Sequence, residues 1–226
     1  KFNRRMNKNP KPNPGTMLSH VENGKNRGSI IVLDSSYEAS NPFWNEEKCG
    51  LDFVGYCQSR NVPSIDAVYI MLTWNGQSDA QPPLKEYCQR MVKQGKTFVD
   101  SLHEQYPSAK VKIMGLQIPS VNGGTGANYG AYLPYCDDYG LTRFVLELNR
   151  CYEAWSQEDT YREYLEFINI SGQFDSENNM PYTYKCVNTR SSVTEIIGTN
   201  GVHPLTEGYL QIADAVFRNF VGNFCN

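Results

Sequence analysis

The 226-residue sequence is poor in histidine: His20, His103 and His203 are all it has. It holds no run of about 18 apolar residues, and its first residues lack the charged-then-apolar layout of a signal peptide, so no membrane partner is expected. Neither C-x-x-C nor a short Cys/His pairing occurs, which excludes the usual structural zinc sites. The seven cysteines (49, 57, 88, 136, 151, 186 and 225) are an odd number and leave any disulfide framework with a thiol to spare. Mostly reduced cysteines are expected, with Cys88 and Cys151 on apolar helix faces as small hydrophobes. Positive charge is not in excess: 21 Lys and Arg stand against 24 Asp and Glu, a net charge of -3, so no nucleic-acid partner is expected. A glycine-rich phosphate loop and clustered metal carboxylates are also missing, which argues against phosphate-ester chemistry. Asp175 and Glu177 read as loop-capping residues.

What is present is an ordinary apolar share of 40%, enough for one sizeable core. Residues 1–28 are polar and rich in proline and glycine, and read as a loop or arm; residues 29–226 read as one domain. Within it, Ser29 to Leu33 reads as a strand and Glu46 to Arg60 as a short helix. Ile65 to Leu72 is nearly continuous apolar sequence, as in a strand buried on both faces. Pro83 to Gln105 carries apolar residues at spacings of three and four, the stripe of an amphipathic helix. A strand at Lys110 to Ile118 is closed by Pro119, and a long connection from Val121 to Gly140 follows. Leu141 to Ser156 reads as a helix, Tyr164 to Ile170 as a strand, then a polar loop to about Gly198, and Leu205 to Val221 as the last helix. The alternation of strand and helix predicts an α/β domain with a mainly parallel sheet. Ligands of such sheets bind beyond the carboxyl ends of strands, so Asn75, the loop from Pro119 and the turn at His203 should converge on one rim.

His203 is the one histidine in a built setting. Gly201 and Pro204 bracket it, and a helix begins directly after it. Read alone, it is a base or a residue that merely fills the turn. Asn200, three residues earlier, is placed to accept a hydrogen bond from one ring nitrogen and fix the tautomer. Asn75 offers a side-chain N–H after a buried strand, either as an oxyanion donor or as an ordinary turn asparagine.

Thr73-Trp74-Asn75, the Pro-closed strand Ile113 to Pro119, and Asn200-Gly201-Val202-His203-Pro204 followed by Gly208-Tyr209 come in an order that resembles the SGNH (GDSL-type) hydrolase superfamily, in its bacterial and phage-associated esterase-like branch. Asn41 to Asn45, Asp52-Phe53, Gly126 to Gly130 and Phe174 to Pro181 extend the resemblance to roughly residues 20–222. The resemblance implies a flavodoxin-like three-layer sandwich. It implies His203 as general base, Asn75 as oxyanion donor, and Gly28 as the second donor through its backbone N–H, with Gly24 the nearby alternative. Asn200 stands where the family usually has Asp, which implies a Ser-His dyad oriented by an amide. Thr73 replaces a glycine of the family pattern.

The Gly-Asp-Ser nucleophile block is not recognisable. Leu33-Asp34-Ser35 imitates it, but no glycine turn lies between Ser35 and Asn75 to serve as the second oxyanion block. The nucleophile and the first strand are therefore expected on an upstream segment of the same protein, with Ser35 the alternative. The implied activity is hydrolysis of acyl esters, small molecules or acylated glycans, with no metal or organic cofactor. The alternative is a non-catalytic glycan-binding module on the same fold, with Trp74, Tyr129, Tyr132 and Tyr135 as stacking candidates. Nothing in the sequence chooses between a secreted, periplasmic or cytoplasmic location.

Overall fold

The computed structural model describes residues 16–22, 25–32, 43–45, 47–62, 64–73, 84–124 and 138–224, with 16–32, 72–73, 138–140 and 224 described for their backbone only. In chain order the elements are β1 (Thr16–Glu22), β2 (Lys25–Val32), β3 (Trp44–Asn45), β4 (Gly50–Leu51), α1 (Phe53–Ser59), β5 (Ala67–Thr73), α2 (Leu84–Gln105), β6 (Lys110–Met114), α3 (Asp138–Ser156), β7 (Leu165–Ile168), β8 (Tyr182–Cys186), β9 (Thr194–Gly198) and α4 (Thr206–Phe224). Among the described residues no helix is long and apolar enough to cross a membrane. The chain divides into two compact units, one of Lys1–Ile113 with Cys151–Phe167 and one of Met114–Arg150 with Ile168–Asn226.

The fold class is α/β, as the alternation of elements predicts. The main sheet has the order β2-β1-β5-β6-β7. Counted along the chain, these five strands lie 2-1-3-4-5, with a hairpin at the edge in place of a parallel crossover. The parallel part is visible in β6 and β7: Val111 N–H donates to the Tyr164 carbonyl at 2.7 Å and Gly115 N–H to that of Ile168 at 2.9 Å, a constant offset. On the other side, β1 runs antiparallel to both β2 and β5, so the sheet is mixed.

That hairpin corrects one expectation. The polar stretch through residue 28 is not a continuous loop: β1 lies wholly within it and β2 starts in it. Glu22 pairs with Lys25 across Asn23-Gly24. Asn-Gly between two potential strands is a strong hairpin signal, and here it outweighs the polar composition around it. Two further differences have local causes. The helix expected from Glu46 begins at Phe53, because the β3–β4 clip occupies the residues before it and Cys49 takes a left-handed backbone angle of 48°. The polar loop before Gly198 contains the β8–β9 hairpin, whose strands are largely exposed and so lack the apolar alternation that marks a half-buried strand.

In the first unit, α2 buries Tyr87, Cys88, Met91, Phe98, Val99 and Leu102, the stripe expected from its spacing. Phe98 meets Phe53 edge-on at 4.8 Å between ring centroids, and Phe43 joins them. The first N–H groups of α1 would be orphaned by helix geometry. Gln105 takes up two of them, accepting from Phe53 at 2.7 Å and Val54 at 3.2 Å, and Asp52 accepts from Gly55 at 2.9 Å. The His103 ring stacks on Tyr164 at 3.6 Å between centroids.

In the second unit, the core is built by Leu116, Leu141, Phe144, Val145, Leu148, Ile170, Met180, Val202, Ile212 and Ala215. Asn149, on the apolar face of α3, is buried among them. Its Oδ1 accepts from Leu116 N–H at 2.8 Å, and its Nδ2 donates to the Leu116 carbonyl and to Ser171 Oγ, both at 2.8 Å. The amide completes backbone pairing at the point where β6 gives way to irregular chain, where an unpaired buried N–H or C=O would be costly.

Candidate functional site

Three segments of the second unit are tied together around His203. The first is the chain leaving β6. Gln117 Nε2 donates to the Val202 carbonyl at 2.8 Å and Ser120 N–H to that of Gly201 at 3.0 Å; Gln117 and Ser120 are both buried. The second is the loop before β8. Thr199 N–H donates to the Pro181 carbonyl and Leu205 N–H to the Asn179 carbonyl, each at 2.9 Å. The third is the turn itself, which enters from β9 through Gly198 N–H, donating to the Asn122 carbonyl at 2.7 Å.

The local chemistry explains why each segment holds its shape. Asp175 closes the loop before β8 on itself, its Oδ1 accepting from the N–H groups of Glu177 and Asn178 and its Oδ2 from Asn178 Nδ2. These bonds, that of the Asn178 side chain first, hold its carboxyl below the usual carboxylate range. The capping expected of Asp175 is therefore seen, while Glu177 takes part through its backbone, its carbonyl accepting from Asn122 Nδ2 at 2.7 Å. Gly208, in the first turn of α4, has no room for a side chain: a Cβ there would lie 2.8 Å from the Asn179 carbonyl oxygen and 2.9 Å from Phe174 Cε2. The glycine lets the helix start close against the loop.

Within the turn, Asn200 Oδ1 accepts from Val202 N–H at 3.1 Å and His203 N–H at 2.8 Å. Asn200 Nδ2 lies 3.1 Å from His203 Nδ1, and Oδ1 lies 3.3 Å from the same ring atom. Val202 and Pro204 on either side of the histidine are buried, while the imidazole itself is exposed. Alternating burial on so short a stretch fixes the backbone by its apolar neighbours and leaves the ring at the surface.

Of the rim expected from sequence, the Pro119 loop and the His203 turn are brought together. Asn75 and Trp74 lie outside the described residues, as do Ser35, Gly24, Gly126 to Gly130, Tyr129, Tyr132 and Tyr135. Gly28 is placed within β2, opposite His20 of β1, rather than in a turn, and belongs to the first unit, not that of His203. Cys57 and Cys88 are buried, Cys49 and Cys186 exposed, and none of these or Cys151 is in a disulfide.

Sequence reasoning missed Gln117, Asn149 and Gly198. Asn149 had a signal: an amide on the same face as Val145, Leu148 and Tyr152 must find partners when that face is buried. Gln117 and Gly198 had none beyond their nearness to Pro119 and Asn200.

No protein-family model and no curated protein matches the chain. Several solved structures overlap it, among them these two. One is a protein from Streptococcus pneumonia provisionally assigned as a platelet activating factor, with 12% identity over 68% of this chain and a TM-score of 0.45. The other is a protein from Chitinophaga pinensis DSM 2588 provisionally assigned as a lipase, with 13% identity over 74% of this chain and 78% of its own, and a TM-score of 0.43. The chain spans 59% of the length of the first.

Proposed function

We propose that the chain belongs to a serine-type acyl-ester hydrolase of the SGNH kind, with His203 as its general base. The observation that carries this reading is a surface imidazole on a turn pinned by buried neighbours, directly before α4 and bonded to the loop that leaves a sheet strand at its carboxyl end. That is where open α/β sheets hold their ligands. His203 takes the proton of a serine hydroxyl as that oxygen attacks the ester carbonyl, and returns it to the leaving alcohol. The Asn75 side chain is proposed as a donor to the oxyanion, and no metal or organic cofactor takes part.

The nucleophilic serine is proposed on a segment preceding residue 1, since Ser35 lacks the glycine pattern around it. Labelling with a fluorophosphonate tests this part. A form extended upstream should be labelled and should turn over acetyl esters, while residues 1–226 should do neither. A label on Ser35 would sink the upstream assignment.

A second reading, a glycan-binding module without turnover, draws on the β8–β9 hairpin. Tyr182 and Tyr184 share one face of it and stay 42% and 63% exposed, available to stack on sugar rings. Glycan binding by the extended form with no ester turnover would favour this reading over the first.

A further inference from the structure

The orientation of the Asn200 amide is not set by the histidine. Two backbone N–H groups, of Val202 and His203, point at one end of it, and only an oxygen can accept them. The end that remains, next to His203 Nδ1 at 3.1 Å, is therefore the NH2 group. An amide nitrogen has hydrogens and no lone pair to offer, so the bond can form only if Nδ1 accepts. A neutral imidazole whose Nδ1 is an acceptor carries its one proton on Nε2. The opposite arrangement would need Nδ1–H to donate to Oδ1 at 3.3 Å, a longer contact to an oxygen already holding two donors. Turning the amide over would strand both backbone N–H groups.

We infer that Asn200 is a positioning residue that stores His203 as the Nε2–H tautomer. This runs against the sequence expectation that Asn200 accepts from the ring. It deepens the proposed function and rests on it only for its catalytic consequence. A base that serves a serine must present a lone pair at Nε2, and in hydrolase triads an aspartate secures this by accepting Nδ1–H. Here the amide holds the proton on the nitrogen that should receive one. Hydrolysis by His203 then requires the tautomer to change first, so Asn200 restrains the reaction while preserving the turn. Asn200→Asp would keep an oxygen for the backbone N–H groups, put a second oxygen against Nδ1, and move the proton to Nδ1.

The test is nitrogen-detected NMR of the imidazole rings in residues 1–226, above the pH at which imidazole titrates. With only three histidines, His203→Ala assigns the signals. The native chain should show a bare Nδ1 and a protonated Nε2 at His203, and Asn200→Asp should reverse them. Protonation at Nδ1 in the native chain, or an Asn200→Asp chain that keeps its proton on Nε2, overturns the inference. In the extended form, Asn200→Asp should raise ester turnover on the order of 100-fold or more, since the reverse change in a triad costs about 10⁴. A proton that moves with no turnover in either form supports the tautomer assignment and counts against the hydrolase reading.

Discussion

Gly124 and Gly198 pass each other backbone against backbone. A Cβ on Gly124, whose φ is +91°, would lie 2.7 Å from the Gly198 carbonyl carbon, and a Cβ on Gly198 would lie 2.1 Å from the Gly123 carbonyl oxygen. Neither distance is tolerable for a real side chain, so two glycines are what allow the β6 exit loop to reach the entry of the His203 turn. Gly198→Ala must push these segments apart, an overpacking that costs about 1–3 kcal/mol. Thermal unfolding should show a Tm lower by roughly 3–10 °C. An unchanged Tm would mean that the close approach is not part of the folded state.

Asn149 links the same loop to α3. Replacing it with leucine keeps the branched shape, though not the smaller volume, and leaves the Leu116 N–H buried without the amide, at about 1–3 kcal/mol. Urea unfolding should therefore give a lower midpoint with an unchanged slope. Ser171 Oγ also donates to the Leu116 carbonyl at 2.6 Å, so the loss should fall mostly on the N–H.

Asp52 caps α1, and Asp52→Ala should cost about 1–2 kcal/mol at neutral pH. Its carboxyl is held below the usual value of 3.8, chiefly by the Lys48 ammonium and then by the Gly55 N–H, against the opposing effect of burial. A depressed carboxylate contributes stability that is complete above the ordinary carboxylate range and is lost as pH falls through the folded-state value. The stability gap between native protein and Asp52→Ala should thus narrow below about pH 4. A gap that stays constant down to pH 2 would show that the charge is not what matters.

The elements most readable in the sequence are those whose burial follows a period. α2 was delimited to within a residue because Tyr87, Cys88, Met91, Phe98, Val99 and Leu102 repeat at helical spacing and are buried. The strands at 67–73, 110–114 and 165–168 are legible as apolar runs; the run at 110–118 outlasts its strand because the chain stays buried past the last ladder bond, at Leu116 and Gln117. The β8–β9 hairpin was illegible for the opposite reason: with nearly all of it exposed, no pattern of burial was written into Tyr182–Cys186. At the candidate site, the position of His203 was readable from its bracketing glycine and proline, and its closeness to Asn200 from their spacing. The direction of the Asn200–His203 bond was not, because it is decided by which atom the Val202 and His203 N–H groups reach.

The reading of His203 as general base is tested most directly by His203→Ala in the form of the protein extended upstream, assayed on an acetyl ester beside a thermal melt. Loss of ester turnover by about 10³-fold or more, with Tm near that of the native protein, is the predicted result. Turnover close to native in a folded His203→Ala protein would contradict it.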